Sequence, residues 1–306
     1  MIVLAVVPIA IGLLTCLLSG RIERLLPPRL AVPLLTGLAL TVALCTGIAL
    51  SALAVLVFAQ LGPVPRLGHW SASVLRARAE VPVGLGVAAF VIVVVLLGAA
   101  IVRAGISIRT LIRATRASRA MTPVDGNLVV VDDDAPTAYA VGGWRGRIVV
   151  SRSMLTALSA AERRVVLAHE AAHLRHRHHL YLHVAALAAA ANPLLRPTRA
   201  AIALGVERWA DEDAAGEVHD RAATARGLAG AALALAHHRR GVGTLAAADS
   251  AVAQRVRALL APAPQPRRFT AVMIVAVGAA CWLTTAVATW RTNELIQVAE
   301  AAVLHR

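Results

Sequence analysis

Four long stretches without a charged side chain set what this chain can become: residues 1–20, 30–65, 81–102 and 269–290. A helix needs about 20 apolar residues to cross a bilayer, and each stretch reaches that length. The first lacks the basic start and the A-x-A site of a signal peptide. Leu13-Leu14-Thr15-Cys16 only faintly resembles a lipoprotein cleavage box, so residues 1–20 are expected to form a first membrane helix. The second stretch is longer than a span requires and is expected to tilt or to extend past the bilayer.

Composition agrees. Hydrophobic residues make up 58%, charged residues 16%, and the mean hydropathy is +0.69. A typical soluble domain carries about 25% charged residues. The net charge of +14 comes from Arg alone, because the chain has no Lys. Aromatic residues, at 3%, are too few to build base-stacking platforms, so direct nucleic-acid binding is not expected. The three cysteines, Cys16, Cys45 and Cys281, lie in apolar runs without metal-ligand spacing and read as small apolar residues in lipid-facing helices.

The arginines suggest an orientation. Arg103, Arg109, Arg113, Arg116 and Arg119 follow the third stretch with no acidic residue among them, and Arg267 and Arg268 precede the fourth. Positive residues favour the cytoplasmic side. The expected layout is three membrane helices in 1–103, a cytoplasmic region 104–268, a fourth helix 269–290 and a short outer tail 291–306, in the plasma membrane. The loop 66–80 also holds three Arg yet falls outside in this layout, against the rule.

Region 104–268 is the part large enough for a water-facing core. Leu128–Val131 and residues 147–150 read as strands, with Ala138–Val141 and the turn signal Gly142-Gly143 between them, giving a small sheet or hairpin. Helical patterns follow to residue 260.

Within them His169-Glu170-Ala171-Ala172-His173 forms H-E-x-x-H. Positions i and i+4 share a helix face, so both imidazoles can hold one metal ion while Glu170 reaches a water activated by it. Ser159 and Glu162 form an S-x-x-E capping box before the motif, which places it inside a helix. A chance match of so short a pattern occurs in on the order of one per cent of chains this size. The nearby His176, His178, His179 and His183 leave open a merely His-rich, solvated helix. A catalytic zinc site needs a third ligand. Glu207 and Asp211, again i and i+4, can supply it: Glu207 as ligand, Asp211 as the acceptor that orients an imidazole. The alternative is an exposed acidic helix face. His176, His178 and His179 are read as a basic, solvated or headgroup-facing surface, with His176 a minor alternative ligand. His219, His237 and His238 are candidate oxyanion donors, and nothing in the sequence selects one.

At these residues the chain resembles the BlaR/MecR-type membrane zinc metallopeptidases and, more distantly, the HtpX-like and CAAX-processing membrane peptidases. The likeness rests on L-A-H-E-A-A-H-L-R-H-R-H-H at 167–179, E-R-W-A-D-E-D-A-A at 207–215 and Asn192-Pro193 between them. The stretch 138–150 looks like the strand before the metal helix in that group, an edge to which substrate adds. The resemblance implies Zn2+ held by His169, His173 and Glu207, Glu170 as general base and Asp211 as support. It also implies signalling by cleavage of a cytoplasmic protein, with a winged-helix repressor as partner. Only about sixteen residues follow Trp290. No penicillin-binding sensor domain is expected there, and direct β-lactam sensing is not expected either.

The fold expected is mainly α: a polytopic membrane protein with about four transmembrane helices and a helical zincin-like region carrying a small β element. Homo-oligomerisation is compatible with this reading. Two rival functions stand beside regulated cleavage, namely quality-control proteolysis of membrane proteins and a non-catalytic zinc-binding membrane receptor. Cleavage within the bilayer fits poorly, because Arg163, Arg164, Arg175 and Arg177 flank the metal helix.

Overall fold

The structure is a computed structural model and describes residues 2–62, 64–79, 81–143, 146–238 and 245–304. Four of its helices are long and apolar enough to cross a membrane: α1 (Ile2–Leu25), α2 (Pro28–Phe58), α5 (Val83–Ala120) and α12 (Arg268–Leu304). Two short helices, α3 (Val64–Leu67) and α4 (Ala72–Ala79), lie between α2 and α5. The protein is a mainly-α polytopic membrane protein.

Helix α2 is the axis of the bundle. Pro28 opens it at a position where the missing N–H costs nothing, and its Leu35, Val42 and Leu56 are fully buried. Helix α5 instead exposes Val91, Val95, Leu97, Ile101 and Val102, a surface that water would penalise and hydrocarbon would not. The helices run past the uncharged stretches. The boundary at 103/104 falls inside α5, which runs on to Ala120. At the other end, α12 continues beyond Trp290 to Leu304, and Ala299 O accepts a hydrogen bond from Ser71 N beside α4. Cys45 and Cys281 are buried rather than lipid-facing.

After α5 comes a three-stranded sheet: β1 (Leu128–Val131), β2 (Ala138–Val141) and β3 (Arg147–Ser151). Its order is β1-β3-β2. β1 and β3 are parallel, so the hairpin is formed by β2 and β3. β2 is therefore an edge. Gly143 has φ +146°, and a Cβ there would lie 3.1 Å from Thr115 Cα, so glycine lets the hairpin close on α5.

Helix α6 (Arg152–Ala157) leads to α7 (Ala160–Arg175), which starts with both halves of the capping box. Ser159 N donates to Glu162 Oε2 at 2.8 Å and Glu162 N donates to Ser159 Oγ at 3.3 Å. Helix α8 (His178–Ala191), a 3-10 turn at Pro193–Leu195 and α9 (Arg196–Val218) then form a hairpin. Its tip reaches far into the bundle: Asn192 Nδ2 donates to Thr46 Oγ1 at 3.3 Å. Thr46 stands about 27 Å along α2 from Pro28 at 1.5 Å per residue. The turn satisfies its own backbone, since Asn192 N donates to Ala188 O and Leu194 N to Asn192 Oδ1. That is how irregular backbone survives beside membrane helices. Helices α10 (Arg221–His238) and α11 (Leu245–Leu260) close the structure over α7 and α9.

Candidate metal centre

Helix α7 presents His169 and His173 one turn apart, with their Nε2 atoms 3.1 Å apart. Helix α9 crosses so that Glu207 Oε2 lies 3.6 Å from His169 Nε2 and Oε1 lies 3.8 Å from His173 Nε2. Among the described residues, these three form the group of potential ligands able to close on one ion. Tetrahedral zinc with bonds of about 2.0–2.1 Å separates its donor atoms by roughly 3.3 Å. The observed spacings bracket that value, so the donor set fits a zinc ion.

Each imidazole is anchored through its other nitrogen. His169 Nδ1 lies 3.0 Å from Asp211 Oδ1, the carboxylate one turn beyond Glu207. His173 Nδ1 lies 3.0 Å from His178 Nδ1. His178 is fully buried, its ring tilted against Trp209 at 4.9 Å between ring centroids. Burial, reinforced by His173, lowers its pKa to about 3, so it is neutral and its Nδ1 can accept a hydrogen bond from the Nδ1–H of His173. The Nε2 lone pair of His173 is thereby free for a metal. This corrects the surface reading of the flanking histidines. His178 supports the site from below, and His176 Nε2 bonds Asp213 Oδ2 at 2.6 Å while stacking on Trp209. The stack is a consequence of Trp209 falling between Glu207 and Asp211.

The charges are set for a cation. For His169, burial opposes protonation, but the hydrogen bonds it donates to Asp211 and Glu207 outweigh it and lift the pKa to about 9. For Glu207, burial likewise favours the neutral acid, yet His169 and Arg255 hold the carboxylate ionised, with a pKa of about 2. His173, buried and beside His169, falls to about 4. A proton on His169 next to an ionised Glu207 occupies the place that a metal ion fills when such donors bind one.

Glu170 lines a cavity of about 380 Å³ whose walls include Tyr139, Val166, Leu228, Leu235 and Val252. Burial raises its carboxyl above the usual range, opposed by His169. The backbone N–H of Ala140, on the edge strand β2, also acts on it. A base held in this way sits nearer neutrality than a free carboxylate.

Sequence reasoning missed Arg255. Its Nε and Nη2 grip Asp211 at 2.8 and 2.6 Å, and its Nη1 donates to Glu207 Oε2 at 3.0 Å. Helix α11, which carries it, is tied down by Arg221. That side chain pairs with Glu212 and donates to the carbonyls of Ala258, Leu259 and Ala261 at the helix end. Nothing in the chain's pattern marks Arg255 among so many arginines. Of the candidate oxyanion donors, His219 lies at the far end of α9 against Glu217 O, and the side chains of His237 and His238 fall outside the described residues.

Residues 108–236 match the model of peptidase family M48. The match covers less than half of the chain. It runs from the end of α5 through both motif helices and stops before α11, so Arg255 lies beyond it. Family M48 peptidases are typically zinc-dependent, which agrees with the donor set. No curated protein and no solved structure matches the chain.

Proposed function

We propose that the chain is a membrane-anchored zinc endopeptidase. The observation that carries this is the convergence of two imidazole Nε2 atoms and one carboxylate, with a half-buried Glu170 beside them in the lining of a cavity. His169, His173 and Glu207 would hold the ion. When bound, zinc polarises the scissile carbonyl and acidifies a water molecule. The substrate adds as a strand to β2, which places its backbone along α7. Glu170 accepts the proton of the attacking water and returns it to the departing amine. Arg255, anchored by Asp211, donates an N–H to the carbonyl oxygen as charge gathers there. Asp211 fixes the tautomer and direction of His169.

The sheet end faces the cytoplasm in this proposal, and the regulated substrate is a cytoplasmic protein, with a winged-helix repressor as the specific form. A second reading, turnover of membrane proteins, has its own observation. Val206 and Trp209, which flank Glu207, pack with Ile22 and Val32 of α1 and α2, so the site lies against the bundle. Comparing new protein N-termini between wild type and Glu170→Gln in the native host separates the two. A few cuts lost in the variant identify a regulatory protease, and many lost cuts in membrane proteins identify quality control. Indistinguishable profiles under several stresses would overturn both.

Two single-site outcomes follow. Asp211→Asn should weaken zinc binding by about 10–100-fold, read by competition with a chromogenic chelator. Arg255→Ala should lower kcat by about 10²–10³-fold with zinc still bound. An unchanged kcat in that variant would remove Arg255 from the mechanism.

A further inference from the structure

Away from the metal centre, His179 and His183 lie one turn apart on α8 and share a face. The charge acting on His183 is that of Arg103 on α5, and the charges acting on His179 are those of His183 and Arg177. Among the described residues, no carboxylate pairs with Arg103 or Arg177. The other acid-facing arginine nearby, Arg175, is already taken by Asp213 and Glu217. We propose that this groove between α5 and α8 binds the phosphate of an anionic lipid headgroup.

On these two helices, which pack against each other, three polar atoms are buried without a partner: Arg103 Nε and Ser107 Oγ, one turn apart on α5, and His183 Nδ1 on α8. Ser107 is 8% exposed, so water does not serve it. A helical hydroxyl usually turns back onto the preceding turn of its own helix. Thr110, Thr115 and Ser118 of α5 all do so, and Ser107 does not. Its hydroxyl is left for a ligand, in a place where arginine and imidazole N–H groups supply further donors.

The position suits a lipid. Arg103 directly follows the uncharged stretch of α5, at the depth where headgroups lie. Ile101, Val102 and Ile106 stand exposed beside it and offer acyl chains an apolar wall. One turn from His183 toward the sheet, His179 lines a cavity of about 810 Å³ together with Arg177, Gly142 and Gly143. A Cβ at Gly142 would lie 2.8 Å from His179 Nδ1, so the glycine keeps that histidine in place.

A free phosphate has the same chemistry, and the test distinguishes the two. The purified full chain in detergent is titrated with dioleoyl-phosphatidylglycerol or dioleoyl-phosphatidylcholine, read by native mass spectrometry and by the shift of the melting midpoint. Wild type should prefer the anionic lipid by about tenfold and gain stability from it. Arg103→Gln with Ser107→Ala and His183→Gln should lose that preference and that gain. Arg109→Gln with Arg113→Gln, which removes equal or greater charge from the same helix, should keep both. Equal binding of the two lipids, or an equal loss in the Arg109/Arg113 variant, would overturn the site. So would displacement of the lipid by millimolar inorganic phosphate. Should the triple variant not fold, Ser107→Ala alone must still weaken the preference.

Discussion

Glu170→Gln is expected to leave zinc bound and to slow peptide hydrolysis by about 10²–10⁴-fold. The amide keeps the shape of the side chain, so the cavity and the approach of β2 are not disturbed. What it removes is the ability to take a proton from water and pass it to the amine. The three donors that would hold the ion are untouched, because Glu170 is not among them. Stability should change little, since a half-buried acid whose charged form burial already disfavours is replaced by a neutral isostere. Zinc content by metal analysis and hydrolysis of a quenched peptide read the two quantities in one preparation. A variant that still cuts at the wild-type rate would sink the mechanism. A variant that loses its zinc would instead place Glu170 among the groups that build the site.

Much of this centre was legible because helix periodicity is a local property. H-E-x-x-H and E-x-x-x-D each place two groups on one face, and the capping box at Ser159 marks where the first helix begins. The long uncharged stretches likewise announced α1, α2, α5 and α12. What stayed hidden depends on contacts between distant segments. Arg255 belongs to a different helix, far along the chain from the motif, and only folding brings it to Asp211. His178 looked like part of a solvated histidine run. Burial against Trp209 turns it into an acceptor for His173, and the Trp inside E-R-W-A-D was the available clue. The stretch 180–195 was too short to span, and its length said nothing of how deep Asn192 would sit against Thr46. The parallel pairing of β1 with β3 is equally a matter of topology.

The same dependence on distant contacts makes Glu23→Ala the substitution expected to cost the fold most. Glu23, on α1, is 1% exposed. Its carboxylate accepts from Arg208 Nη1 at 2.5 Å, and its backbone carbonyl accepts from the same nitrogen at 3.0 Å. Arg208 is itself buried, next to Glu207 on α9. Removing the carboxylate strands a guanidinium that is only 8% exposed, where water cannot repay its charge. Breaking a buried pair in this way costs about 3–5 kcal/mol. Replacing both partners by apolar residues of similar size, as in Glu23→Leu with Arg208→Met, should recover most of that loss. Because Arg208 adjoins the third candidate ligand, Glu23→Ala should also weaken zinc binding, while the double variant folds yet binds zinc with whatever order Glu207 retains. Thermal unfolding in detergent reads the first effect and chelator competition the second. A single variant melting within about 1 °C of wild type would show that the pair is not a structural tie. A double variant no more stable than the single one would show that the cost lies in lost packing and not in the stranded charge.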